Sequence, residues 1–253
     1  MPAPAAPVTP ASPPLPRAPT IGGAFGAGGS DLFYNSWRVV PANLIVGVGL
    51  VVVLWVWAIA GALAAAVVSV PLALPLAGLF RLGAMATRGR DVNLSDVLDP
   101  ARAEPLPILL TGAGFAAALL VLGTNLIGGI LVGGVFAWAI ATAAFWGLGI
   151  LVALGFALWP IAVDPERAGM AWRARVRLAG LLVLAHPGRM GALSILLVIL
   201  LAISTVIVAA VLTVSIGFSA LVACRYVLPA ADRLEARLGE RLGPGSTPDM
   251  AAR

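Results

Sequence analysis

The sequence predicts an all-α fold, a polytopic bundle of transmembrane helices, and three observations lead to this prediction. Of the 253 residues, 60% are hydrophobic and only 11% are charged, whereas a soluble domain carries about 25% charged residues. Three long runs, at residues 39–80, 105–163 and 190–224, contain no Asp, Glu, Lys, Arg or His. The arginines lie in the segments around these runs. A chain with so little charge must place most of its surface in lipid.

The two ends of the chain differ in composition from the rest. Eight of the first twenty residues are proline, and a glycine-rich stretch follows, so we expect residues 1–30 to form a disordered tail that buries little apolar surface. Residues 31–242 are predicted to form a single membrane-embedded helical domain. Residues 243–253, which begin with a Gly-Pro-Gly breaker, are expected to form a second disordered tail.

The domain should open at the interface between lipid and water. Phe33, Tyr34 and Trp37 stand beside Arg38. Aromatic rings with a polar edge concentrate at the level of the lipid headgroups. This segment is therefore predicted to be an interfacial helix or belt.

The middle run is long enough for two crossings. About 20 helical residues cross the roughly 30 Å of hydrocarbon, and residues 105–163 provide nearly three times that number. Gly128, Gly129, Gly133 and Gly134 mark the predicted turn between the two spans. Gly129 and Gly133 also form a GxxxG pattern, which is typical of close helix packing and is compatible with a homo-oligomer.

The first and third runs are each too long for one untilted span. In the first, Pro71 and Pro75 should break the helix near residue 69, which leaves a full span near 42–68 and a shorter helix near 72–86. In the third, we expect the helix to be interrupted at residues 215–217, between a span near 190–213 and a second helix. The prediction is about six membrane segments, of which four are firm spans and two are short or re-entrant helices.

The distribution of arginine favours this scheme. Arginine flanks all three runs, and the connection between the two middle spans has none. Because cytoplasmic loops are rich in basic residues, we expect all three runs to begin and end at the cytoplasmic face of a cell (plasma or inner) membrane, with both termini cytoplasmic. The alternative is four full spans, in which the first and last runs cross once and Arg17, Arg38 and the C-terminal arginines lie outside.

A helix on the membrane surface is predicted after the middle run. Asp164 and Pro165 form a helix start signal. The apolar residues Trp172, Val176, Ala179 and Val183 recur at helical spacing, and three arginines, Arg167, Arg173 and Arg177, fall on the other side. We expect these arginines to contact anionic lipid headgroups. Residues 230–242 repeat the amphipathic pattern.

Three polar residues within the runs are candidates for a site, namely Asn43, Thr124 and Asn125. An amide in lipid needs several hydrogen-bond partners, so Asn43 and Asn125 serve either a function or helix packing. If functional, the three side chains would line a path for an uncharged or amphipathic solute.

Several chemistries are excluded or disfavoured. All 16 basic residues are arginine, and without lysine the chain has neither a Walker-type phosphate loop nor a Schiff-base amine. Cys224 and His186 are single, so a disulfide or a zinc site is not expected. The dispersed arginines do not indicate nucleic-acid binding. We predict no catalytic residue, no cofactor and no metal ligand.

The first polar loop gathers charges of both signs. Four carboxylates, Asp91, Asp96, Asp99 and Glu104, lie near three arginines, Arg88, Arg90 and Arg102. We interpret the loop as a solvated, salt-bridged turn. Acid–base or metal chemistry on these carboxylates, and docking of a cytoplasmic partner, are the alternatives.

The order of features resembles a known family. Phe33 and Trp37 are followed by Asn43 at the start of a long span, then by the sequence VPLALPLAGLFR at residues 70–81. These features, with the loop at 88–98 and the block at 158–187, resemble the YesL-like family (domain of unknown function 624) over residues 30–228. The Gly-Leu-Phe-Arg ending and the Ala/Gly-rich spans depart from its commoner members. The resemblance implies a bacterial multi-pass membrane protein associated with carbohydrate uptake, and it transfers no catalytic residue.

The expected function is therefore that of a non-enzymatic accessory or structural membrane protein, linked to a sugar transport system. The alternative is a small facilitator or flippase for an uncharged or amphipathic solute. A membrane enzyme would depend on the carboxylates of the polar loops alone.

Overall fold

The computed structural model describes residues 19–207 and 211–242, and this part of the chain is helical without any strand. The α-helices are α1 (Ile21–Ser69), α2 (Ala73–Thr87), α3 (Asp99–Ala103), α4 (Pro105–Val132), α5 (Val135–Ala162), α6 (Trp172–Ala185), α7 (Pro187–Val206) and α8 (Ile216–Leu242). Short 3₁₀ turns at Val70–Leu72, Leu94–Leu98 and Pro165–Arg167 and a π-helical turn at Val211–Ser215 connect some of them. The predicted all-α class is confirmed.

Five helical stretches in the described residues are long and apolar enough to cross a membrane. They are Ile21–Thr87, Pro105–Val132, Val135–Ala162, Pro187–Val206 and Thr213–Gly239. The first of these contains α1, a 3₁₀ turn and α2, and it is far longer than one crossing requires. The chain is therefore built as a multi-pass membrane protein.

The first stretch reverses its direction at Gly61. In a straight helix Gly49 and Leu72 would be roughly 34 Å apart, yet a side chain built at Gly49 would collide with the Leu72 side chain. Gly61, midway between them, has a φ of 83° and interrupts the helical backbone, a conformation that only glycine adopts without strain. The predicted shorter helix is present as α2. The chain reverses its direction at Gly61, however, and not at the break predicted near residue 69. Pro71 lies in a 3₁₀ turn on the returning segment.

The middle run forms a second hairpin with its turn at the predicted glycines. α4 ends at Val132, and Gly133 and Gly134 have φ values of 70° and 86° before α5 begins. Gly129 faces α5, because a Cβ on it would lie 2.5 Å from the Ala137 carbonyl oxygen. The GxxxG pattern is therefore used inside the hairpin, where Gly129 permits close packing and Gly133 permits the turn.

The third run forms another pair of neighbouring helices. His186 and Arg189, at the start of α7, line the same cavity as Tyr226 and Arg237 of α8. The two helices are joined at their other ends through the π-helical turn. The predicted start of the second helix near residue 217 agrees with the start of α8 at Ile216, but the first helix ends at Val206 and not near residue 213.

The three hairpins share one end, which we call the open end. There the Arg81 guanidinium, near the end of α2, donates to the carbonyl of Val163, which follows α5, at 2.8 Å. Arg88, just after α2, contacts Asp232 of α8 at 2.8 Å. This arrangement agrees with the prediction that each run begins and ends on the same side, and not with four full spans.

α8 is the central helix of the bundle. Its residues 220–224, 226–228 and 230–231 are buried, and its neighbours approach closely where glycine removes a side chain. A Cβ on Gly28 would lie 2.9 Å from Val222, and one on Gly217 would lie 2.6 Å from Val39. By contrast, few residues of α4 and of the first half of α5 are buried, and many of their side chains are exposed on the outside of the bundle.

The predicted disordered tail is wrong for residues 21–30, which form the start of α1. The Thr20 hydroxyl caps this helix by accepting from the Gly23 N–H at 3.1 Å. Phe25 then packs edge-on against Phe218 of α8, with ring centroids 5.9 Å apart, and Gly28 is buried. The glycines that suggested disorder allow this segment to approach α8 closely. Residues 1–18 and 243–253, also predicted to be disordered, lie outside the described residues.

Candidate functional site: an arginine–carboxylate network at the open end

Six charged side chains from three parts of the chain meet at the open end. Arg88 follows α2, three residues precede α6, and two belong to α8. The six residues, which we call the network, are Arg88, Asp164, Glu166, Arg167, Asp232 and Glu235. The network is the largest cluster of paired charges in the described part of the chain.

Asp164 is the central carboxylate of the network. Its side chain is 0% exposed. It accepts two hydrogen bonds from Arg88, at 3.2 Å from Nε and 2.6 Å from Nη2, and another from Arg167. It also accepts from the Glu166 N–H at 3.2 Å, so it caps the 3₁₀ turn that follows α5. One carboxylate thus fixes the end of α5 to α2.

Arg167 extends the network to α8. Its side chain is 5% exposed, and its Nη2 donates to Asp232 and to Glu235, at 2.6 Å in each case. Asp232 also accepts from Arg88 at 2.8 Å. Both arginines therefore bridge Asp164 to the central helix.

The two arginines remain fully charged in this setting. Burial lowers the pKa of the Arg88 guanidinium, but its hydrogen bonds to Asp232 and Asp164 outweigh burial and raise the pKa above its usual value. Burial likewise lowers the pKa of Arg167, and the contacts with Glu235 and Asp232 more than offset this effect and raise it. Neither group can act as a proton donor or acceptor near neutral pH.

Two further arginine–carboxylate pairs flank the network. Arg175 of α6 is 4% exposed and holds Glu104 through two contacts of 3.0 Å, and it donates to the carbonyl oxygens of Ala162 and Ala168. Arg225 of α8 holds Asp31 of α1 through contacts of 2.5 and 2.6 Å. These bidentate pairs tie α6 to the start of α4 and tie α1 to the central helix.

The predicted headgroup arginines separate into two kinds. Arg167 is buried in the network, so its prediction as a lipid contact is wrong. The reason is that Asp164 starts a 3₁₀ turn and not one continuous helix, which turns Arg167 inward. Arg173 and Arg177 are exposed on α6, and their contact with lipid stays a prediction.

The three polar candidates of the runs do not converge. Asn43 is 0% exposed, and its Oδ1 accepts from the Gly217 N–H at 2.5 Å, where α1 crosses the start of α8. Thr124 and Asn125 are exposed on α4, and the Thr124 hydroxyl donates to the carbonyls of Leu120 and Val121 within the same helix. Asn43 is thus a packing residue at a helix crossing, and the three residues line no common path.

The first polar loop is not the internally paired turn that we expected. Arg88 reaches out of the loop to Asp164 and Asp232, and Glu104 pairs with Arg175. The Asp96 side chain accepts from the Asn93 N–H at 2.8 Å in a capping box. Among the described residues, no group of three His, Cys, Asp or Glu side chains is placed to hold a metal ion.

Most of the network was not apparent from the sequence, because its partners, apart from Asp164 and Arg167, lie 65 to 144 residues apart. One signal was present but missed. Arg175 shares its helical spacing with Leu178, Ala179 and Leu182, and these four residues form the buried face of α6. A charged residue within an apolar stripe indicates a buried ion pair. The apolar face predicted for α6, which includes Val176, is rotated away from the buried face that the structure shows, and Val176 is exposed.

This arrangement of ion pairs is suited to holding helices together and not to acid–base chemistry. Asp164, Arg167 and Arg175 are buried, and each contacts an opposite charge. A general base needs a lone pair free to accept a proton, and Asp164 already accepts four hydrogen bonds. The network instead joins α2, α5, α6 and α8 at the open end.

Comparison with known proteins adds no assignment: no family model, no curated protein and no solved structure matches the chain. The resemblance to the YesL-like family therefore stays a prediction.

Proposed function

We propose that this chain is a non-enzymatic integral membrane protein that acts as an accessory or structural subunit of a larger membrane assembly. The observation that supports this proposal is the saturation of the network. The buried carboxylate Asp164 and the buried arginine Arg167 are each held by two or more opposite charges. Such a bundle has a rigid end and leaves no buried ionisable group of the network free to carry a proton or a substrate charge.

The open end is proposed to be cytoplasmic. The turns of the first two hairpins, at Gly61 and at Gly133 and Gly134, lie within runs that contain no arginine. The open end carries the arginine-rich loops, and basic loops stay in the cytoplasm during membrane insertion. A plasma or inner membrane location follows from the same rule.

The first polar loop is the proposed docking surface for the partner. Leu94 and Leu98 are exposed there at 44% and 50%, between charged side chains of both signs. Asp91 and Arg90 are also exposed. The partner is proposed to be a transport protein, and the likeness to the YesL-like family suggests one for a carbohydrate.

The test is capture of the partner from native membranes. Tagged full-length chain, cross-linked and extracted in mild detergent, is expected to retain a polytopic membrane protein. The variant with Leu94→Ser and Leu98→Ser should lose it, while Val176→Ser, an equally exposed apolar change on α6, should not. Recovery of the folded chain without any membrane partner would contradict the proposal.

A further inference from the structure

A second charged feature of the open end lies apart from the network. It is a cavity of about 490 Å³ between the residues that precede α1, the start of α7 and one face of α8. The side chains that matter for its chemistry are His186, Arg189, Tyr226, Arg233 and Arg237. Its volume lies within the range of small-ligand sites.

α8 presents two opposite faces at this level. Successive residues of a helix are rotated by about 100°, which places Asp232 and Glu235 together on one side and Tyr226, Arg233 and Arg237 on the other. The two carboxylates face Arg88 and Arg167. The arginines face the cavity. Asp232 and Glu235 are therefore already engaged on the side away from the cavity.

The charge of the cavity is uncompensated within the described residues. No Asp or Glu lines it, and neither Arg189, Arg233 nor Arg237 forms a described ion pair or hydrogen bond. The Nε of Arg233 is buried without any hydrogen-bond partner. A buried donor without a partner is costly. The Nε of Arg175 also lacks a partner, but the guanidinium groups of Arg88, Arg167, Arg175 and Arg225 each contact a carboxylate, which those of the cavity do not in the part of the chain that the structure describes.

The start of α7 adds positive potential to the same space. Pro187 and Gly188 line the cavity and belong to the first turn of a 20-residue helix. The free N–H groups and the dipole of a helix N-terminus favour an anion. Together with the Tyr226 hydroxyl, these groups offer donors and no negative charge.

We propose that this cavity binds a phosphate group, held by Arg189, Arg233 and Arg237. Arginine recognises phosphate oxygens through its fork of N–H donors. The phosphate comes either from an anionic lipid headgroup at the membrane surface or from a soluble phosphate. This proposal is independent of the accessory role, because it concerns other residues.

The experiment uses the purified full-length chain in two arms. In the first, native mass spectrometry and thermal shift measure retention of phosphatidylglycerol against phosphatidylcholine. In the second, calorimetry measures binding of inorganic phosphate at constant ionic strength. Arg189→Gln and Arg237→Gln remove charge from the cavity, and Arg102→Gln removes an exposed arginine of α3 as the matched control. Arg189 and Arg237 are both exposed, so both variants should fold.

The expected result is binding that falls at least tenfold in each cavity variant and is unchanged in the control. Selective retention of phosphatidylglycerol identifies a lipid headgroup, and binding of inorganic phosphate alone identifies a soluble ligand. Absence of binding in both arms would overturn the proposal. An equal loss in Arg102→Gln would also overturn it, because binding would then depend on net charge only.

Discussion

Arg88 and Asp164, which are 76 residues apart in the chain, form a bidentate pair with an Nη2–Oδ2 distance of 2.6 Å and an Nε–Oδ1 distance of 3.2 Å. The carboxylate is fully buried, and Arg88 continues to Asp232 of the central helix. This pair joins the end of one hairpin to the end of the next at the level where the membrane-spanning helices stop. Its position makes Asp164 the residue on which the open end most depends.

Replacing Asp164 by asparagine should therefore destabilise the protein strongly. The variant Asp164→Asn keeps the shape and the cap of the 3₁₀ turn but removes the one fully buried counter-charge of Arg88 and Arg167, which keep only the partly exposed Glu166, Asp232 and Glu235. Loss of one partner of a buried pair costs about 3–5 kcal/mol. Thermal unfolding in detergent measures the change. Asp91→Asn, an exposed carboxylate without a described ion pair, serves as the control and should stay within about 0.5 kcal/mol.

The pair between Asp31 and Arg225 should couple the start of α1 to the central helix. In a double-mutant cycle with Asp31→Ala and Arg225→Ala, the two single changes and the double change should show a coupling energy of about 0.5–3 kcal/mol. The free energies of unfolding in detergent supply the cycle. Strict additivity of the two changes would mean that residues 21–31 do not dock on α8.

Gly61 should be intolerant of any side chain, although nothing lies within 4 Å of the position a Cβ would take. Its φ of 83° is the cause, so Gly61→Ala is expected to cost about 1–3 kcal/mol through backbone strain alone. Gly114→Ala on α4, which also has open space around it but no positive φ, should be neutral or slightly stabilising. Thermal stability in detergent compares the two. Equal melting temperatures would show that the chain does not turn at Gly61.

Asn43 and Asn125 should respond differently to loss of the amide. Asn43→Ala removes the acceptor for the Gly217 N–H, and an unsatisfied buried donor costs about 1–3 kcal/mol. Asn125→Leu, at an exposed position, should leave stability unchanged. Unfolding midpoints in detergent test both variants. A stability loss at Asn125 as large as that at Asn43 would be inconsistent with the observed burial.

Single cysteines should label on opposite faces of the membrane. Cys224 is fully buried, so the parent chain should react little with an impermeant maleimide. Arg90→Cys and Arg173→Cys, at the open end, are expected to be protected in intact cells, and Phe136→Cys, next to the turn of the second hairpin and 87% exposed, is expected to react. The reverse pattern would invert the proposed orientation, and labelling of all three on one face would contradict the hairpins.

The sequence by itself determined the membrane class and the glycine turn at Gly133 and Gly134, and it favoured, over four full spans, the return of each apolar run to its starting side. These features are local or compositional: hydrophobic length decides what can cross a bilayer, and positive-φ glycine decides where a helix can turn. The turn at Gly61 was missed because one glycine among apolar residues has no distinguishing pattern, whereas the nearby prolines do.

Only the tertiary structure decided which charges meet. Arg88 could pair with Asp91 or with Asp164. Which pair forms depends on how the hairpins pack around α8 and on the hydration that each carboxylate loses on burial. The same packing turned Arg167 inward, separated Asn43 from Asn125, and drew residues 21–30 onto the central helix. Contacts between distant segments depend on the relative placement of whole helices, which local residue patterns do not specify.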